Sequence, residues 1–186
     1  MNIKDNKGIT LILLVVTIIV LLIIAGVTIT AGTESIKKAK LETLRTNMLL
    51  IKAKGKEYCE EANFKVGIIN ESDTDEVKAE KIQKGKDYLK NPGEDKKGLV
   101  NEASAEDLAS VNASLGEDAI NKYAVKLSTQ DLKDIGLNEV ANTENTGDFI
   151  IVFDIKNNTV EVYNTQGYKD NNQTKYSLTE IEAIED

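Results

Sequence analysis

The pattern of apolar and polar positions divides the chain into three stretches with different periodicities. From Ile9 to Ala31 no residue is charged. At 1.5 Å per residue a helix of that length reaches about 35 Å, enough to cross a bilayer. Gly26 is its one weak point and a place for a bend. Beyond Gly32 and Thr33 the pattern becomes amphipathic: Leu41, Leu44, Met48, Ile51, Gly55, Tyr58 and Ala62 recur in steps of three and four. That rhythm predicts one continuous helical stripe, flanked by Lys37, Lys40, Lys52, Lys54 and Lys56. Core packing is the simplest use of such a stripe. Gly55 interrupts it at a position where a helix favours Ala by about 1 kcal/mol, which points either to close backbone approach or to simple tolerance.

The remainder is mixed and then strand-like. Ser72 to Tyr88 predicts a polar helix, Asn91-Pro92-Gly93 a turn, and Ser104 to Leu115 a second helix, capped by Ser104 with Asp107 three residues on. From Lys122 the period changes. Tyr123 to Leu127 is a candidate strand, followed by a helical turn over Ser128 to Ile135 that Gly136 ends. Asp148 to Ile155 is an almost continuous apolar run, the pattern of a strand covered on both faces. Asn157-Asn158 tolerates positive φ, and Thr159 to Tyr163 returns with alternation, so this segment predicts a β-hairpin.

Composition narrows the chemistry. The 186 residues carry a net charge of -8, so a phosphate backbone would find no electrostatic footing and nucleic acid is excluded as a partner. There is no His and no Trp, and Cys59 is the only cysteine. The commonest general base, the commonest zinc ligand and any intramolecular disulfide are therefore missing. Cys59 reads as a small buried hydrophobe. Asp73-Thr74-Asp75-Glu76 has the alternating carboxylates of a calcium loop without its central Gly or closing Glu, and a solvated acidic loop is the simpler reading. No phosphate loop or nucleophile-base pair is present, so the expectation is a non-enzymatic protein without metal or cofactor.

Three uses of the apolar run compete. A removed secretory signal has a shorter apolar core and a small-residue cleavage site, and Thr28 to Gly32 is only a fair one. A plain anchor fits the length, but lysines on both sides leave its orientation unset. The third use rests on Lys7-Gly8-Ile9-Thr10-Leu11-Ile12 running directly into the apolar stretch. Here the chain resembles the type IV pilin and type II secretion pseudopilin family, in the form found in low-GC Gram-positive bacteria. The resemblance extends to the amphipathic continuation and to the strand region from Lys122 to Tyr168.

That resemblance implies a prepilin peptidase cut between Gly8 and Ile9, with N-methylation of Ile9. It implies an α+β, pilin-like fold in which a long amino-terminal helix, membrane half plus amphipathic half, packs on a small antiparallel sheet through Leu44, Met48 and Ile51. Its divisions are a leader at 1–8, a transmembrane and assembly helix at 9–31, the helix continuation at 32–65, a variable acidic region at 66–121, the sheet at 122–168 and a carboxyl-terminal tail at 169–186. The family carries Glu at the fifth mature position, where this chain has Leu13. That Glu offsets the charged amino terminus of a neighbouring subunit. The departure points to a minor or terminal subunit, or to a relative that does not assemble. The implied function is a structural subunit of a pilus or pseudopilus, partnered by other pilin-like subunits, the peptidase, assembly machinery and lipid. Its place is the membrane, with the carboxyl-terminal domain outside or in a surface filament. The alternative is a membrane-anchored extracytoplasmic binding domain that never polymerises.

Overall fold

The computed structural model describes residues 5–143 and 147–184, with side chains given at 14, 16–21 and from 34 onward. The chain divides into two units, Met1–Glu42 and Thr43–Asp186. One helix, α1 (Asp5–Val66), begins in the first and ends in the second. Every described residue of the first unit is helical.

The second unit is α+β, built on a four-stranded antiparallel sheet in the order β1-β2-β3-β4. Its strands are β1 (Lys122–Leu127), β2 (Phe149–Asp154), β3 (Thr159–Asp170) and β4 (Gln173–Ser177). The helices beside α1 are α2 (Asp75–Lys90), α3 (Ala105–Ser110), α4 (Thr129–Asp134), α5 (Asn138–Ala141) and α6 (Leu178–Glu182), with a single 3-10 turn at Ala119–Asn121.

β2 is the centre of the core. All six of its residues are buried, because both faces of the sheet are covered. Side chains alternate across a strand, so Phe149, Ile151 and Phe153 share a face with their β1 partners Leu127, Val125 and Tyr123. This face receives α1: a Cβ at Gly55 would stand 3.0 Å from Val160 and 3.4 Å from Ile151. On the opposite face Ile150, Val152 and Ala124 pack with Leu108 and Val111 of the α3 segment. The expectation of a strand buried on both sides therefore holds, and the acidic region between α1 and β1 supplies one of its covers.

Local signals explain most of the element ends. α2 starts at Asp75, three residues later than expected, after its cap Thr74, whose side chain accepts from the Val77 N–H. The Ser104 and Asp107 capping box is present, but α3 ends at Ser110 rather than running to Leu115, because Asn112 adopts φ 55°. Ser128 with Asp131 and Ser177 with Glu180 form further capping boxes that open α4 and α6. The sheet also continues past residue 168: β3 runs to Asp170, Asn171 and Asn172 turn the chain with φ of 43° and 67°, and β4 pairs back. The region read as a carboxyl-terminal tail thus contains a strand and a helix.

Between Tyr163 and Tyr168 the β3–β4 register shifts. Asn164, on the α1-facing side and 1% exposed, holds this bulge together. Its Oδ1 accepts from the N–H groups of Gln166 (3.2 Å) and Gly167 (2.8 Å), and its Nδ2 donates to the Asp148 carbonyl. Gly167 has φ +63°, and a Cβ there would come within 2.7 Å of the Lys175 carbonyl oxygen. A polar residue on an apolar face is thereby satisfied by backbone groups.

Candidate functional site

The residues singled out by the sequence lie along α1. Gly8, Ile9 and Leu13 have helical backbone, and their side chains fall outside the described residues. The described side chains of the apolar run, Leu14, Val16, Ile18, Ile19, Val20 and Leu21, are all exposed, at 46 to 65%. Among the described residues no helix is long and apolar enough to cross a membrane.

Within the second unit α1 turns its stripe inward. Leu44, Met48 and Ile51 are buried, as are Tyr58 and Ala62 further along the same stripe. Cys59, also fully buried, has its thiol pushed up to about 11 by burial, so it remains a protonated, inert side chain at neutral pH. Basic residues at the edges of the stripe reach across to neighbouring elements. Arg45 donates to the Ile181 and Ile184 carbonyls at the end of α6, where a cation meets the negative end of the helix. Lys56 donates to the Asn158 carbonyl at the β2–β3 turn, at 2.6 Å.

A cluster that sequence reasoning missed joins α1 to the loop after α2. Lys96 bridges Glu57 (2.5 Å) and Glu61 (2.6 Å), and its ammonium stands 5.3 Å from the Tyr58 ring centroid. Tyr88 on α2 donates to the second oxygen of Glu61, and Tyr58 donates to the Lys97 carbonyl. Hydrogen bonds from Lys96 hold both carboxylates below their usual range. Burial alone would lower Lys96, but the bonds to Glu57 and then Glu61 outweigh it and raise the ammonium. Lys96 therefore stays charged, and the arrangement is a clasp rather than an acid-base pair. The one hint in the sequence was Glu57 and Glu61 at i,i+4, which does not name a partner 35 residues away.

The acidic loop at Asp73 has a structural use. Its carboxylate accepts from Lys81 at 2.7 Å and from the Asn70 N–H at 2.8 Å, while Asp75 and Glu76 lie in the first turn of α2. Among the described residues no group of three or more His, Cys, Asp or Glu side chains is placed to hold a metal. Asp107 has a similar role on the opposite face of the sheet. It bonds Lys126 at 2.9 Å and completes the α3 capping box, and the Lys126 bond, then the Ser104 bonds, hold its carboxyl down at about 2. An unfolded Asp titrates near about 3.9, so Asp107 stabilises the fold above about pH 4, and this contribution fades as the pH falls toward 2. Asp107→Asn should remove that part of the acid sensitivity. Urea midpoints of the two proteins, well apart at pH 6, should converge near pH 2, and a constant gap would contradict the assignment.

Compared with protein-family models, curated proteins and solved structures, the chain matches none.

Proposed function

We infer that the chain is a non-enzymatic, membrane-inserted subunit of pilin type, held in the bilayer by its apolar helix until it is drawn into a filament or pseudopilus. The observation that carries this reading is the uncharged run from Ile9 to Ala31, set directly after Lys7-Gly8. Its described side chains, Leu14 and Val16 among them, stand exposed on α1. An apolar surface of that size requires lipid or other subunits to cover it. The second support is architectural: the same helix continues into an α+β domain, where its stripe is buried and Gly55 lies on the sheet. Cutting before the run, rather than after it, keeps the helix in the product as both anchor and assembly surface.

Leu13 favours a second reading. Without a carboxylate at that position the amino terminus of a neighbour has no partner in an apolar filament core, at a cost of several kcal/mol. A tethered domain that binds a partner outside the membrane and never polymerises avoids this cost. The mature amino terminus tests the primary reading. Mass spectrometry of the protein from its native membrane should find a chain starting at N-methylated Ile9. An intact Met1, or a start near Gly32, would remove the pilin reading.

A further inference from the structure

A groove of about 400 Å³ lies between α2, the 3-10 turn Ala119–Asn121 and the β2–β3 turn, lined by Lys78, Ile82, Lys86, Ile120, Lys156 and Asp75 among others. Three cations against one carboxylate make it a basic site on a chain of net charge -8. Among the described residues neither Lys86 nor Lys156 forms a salt bridge, and the backbone beside each is fixed by neighbouring elements. Gly85 brings α2 onto the sheet, where a Cβ would stand 2.8 Å from Ile155, the neighbour of Lys156. The Ile155 N–H donates to the Asn121 carbonyl, fixing the 3-10 turn on the third side. Lys78 donates to the Glu71 carbonyl, and Lys86 has Glu102 as its opposing charge, a carboxylate that Lys90 already engages at 3.4 Å. Ile82 is buried, whereas Ile120 is 72% exposed at the groove, a large apolar side chain without a cover.

We propose that this groove binds an extended acidic peptide of a partner protein, in the pattern acid, any, apolar, any, acid. The register follows from two periodicities. Lys78, Ile82 and Lys86 are spaced four apart on one side of α2, so the two lysines are about 12 Å apart along the axis with Ile82 midway. Alternate residues of an extended strand point the same way, and residues one and five are about 13 Å apart. An acid at each end of the peptide meets a lysine, and the apolar residue at its centre falls on Ile82 and Ile120. Lys156, on the opposite wall, supplies a further donor to either carboxylate. Partial burial, which pushes the Lys86 ammonium downward, also strips it of water and strengthens its attraction to an incoming carboxylate. A small free anion would satisfy one lysine and leave the apolar wall uncovered.

The test uses the full chain in non-ionic detergent and the fluorescently labelled peptide Glu-Thr-Leu-Thr-Glu, read by anisotropy at low salt. Saturable binding is expected, weakening as sodium chloride is raised. The peptide Lys-Thr-Leu-Thr-Lys should not bind, and Glu-Leu-Thr-Thr-Glu, with its apolar residue out of register, should bind more weakly. Lys86→Gln and Lys156→Gln should each weaken binding about fivefold, the loss expected for one partly exposed ion pair, with unchanged thermal unfolding. Ile120→Ser should weaken it without altering the salt slope. Absence of saturable binding, equal binding of the lysine peptide, or unaltered affinity in both lysine variants would overturn the proposal.

Discussion

Phe153→Ala should lower the unfolding free energy of the second unit by about 3 to 5 kcal/mol, the range for removing a fully buried aromatic ring. Phe153 is completely buried at the middle of the sheet, opposite Tyr123 on β1 and Val160 on β3. Its ring lies 6.5 Å from that of Tyr123 at an interplanar angle of 26°. The space it leaves is not easily refilled. The Tyr123 hydroxyl is tied to the Leu99 carbonyl at 2.6 Å, and the neighbouring Val160 lies under α1 at Gly55. Domains of this size have total stabilities of about 5 to 15 kcal/mol, so the variant should be close to its limit at 37 °C. Urea titration followed by circular dichroism measures the loss as a lower midpoint with an unchanged slope. A loss under about 1 kcal/mol would mean that β2 is not the centre of the core.

Much of this core was legible in the sequence, and the reasons are physical. The apolar run from Phe149 to Phe153 has no polar alternation, the pattern of a strand covered on both faces. The hairpin followed from Asn157-Asn158, and the structure indeed gives Asn158 φ 51°. The helical stripe through Leu44, Met48 and Ile51 was readable because three- and four-residue steps leave a clear trace. β4 escaped notice for the opposite reason. Gln173 to Ser177 is short and polar, with no fully buried residue, and what holds it is register against β3 rather than an apolar face. The turn that precedes it repeats the Asn-Asn signal of the first hairpin, which a reading led by hydrophobicity passes over.

Local chemistry was easier to place than long-range partners. Ser104 and Asp107 announced their capping box, because both members lie within one turn. Nothing in the spacing of Glu57 and Glu61 indicates Lys96, since that contact depends on how the loop after α2 folds back. The same holds for the basic groove. Lys78, Ile82 and Lys86 can be read as one side of a helix, but Ile120 and Lys156 join them only through the tertiary fold. Gly98 shows how tight that fold is. A Cβ there would stand 1.9 Å from the Lys90 carbonyl oxygen, where Leu99 turns back to bond Leu89.

Gly55→Leu should destabilise the second unit by about 2 to 3 kcal/mol. The sequence left two accounts of this glycine open, and the geometry decides between them. Even a methyl group at Gly55 would stand 3.0 Å from Val160 Cγ1 and 3.4 Å from Ile151 Cγ2, so the helix backbone lies directly on the sheet. A leucine must either lift α1 or displace Ile151, whose own burial is nearly complete at 1% exposure. Lifting α1 would also strain the bond from Lys56 to the Asn158 carbonyl, one residue further along the helix. Gly55→Ala is the informative control. Alanine gains about 1 kcal/mol in helix propensity, and it needs only a few tenths of an ångström from a valine methyl, so the two effects should nearly cancel. Thermal and urea unfolding of the two variants should therefore diverge sharply, with alanine within about 1 kcal/mol of the parent and leucine well below it. If leucine were tolerated as well as alanine, the helix would not rest on β2 and β3 at this point, and the buried stripe of α1 would need another explanation.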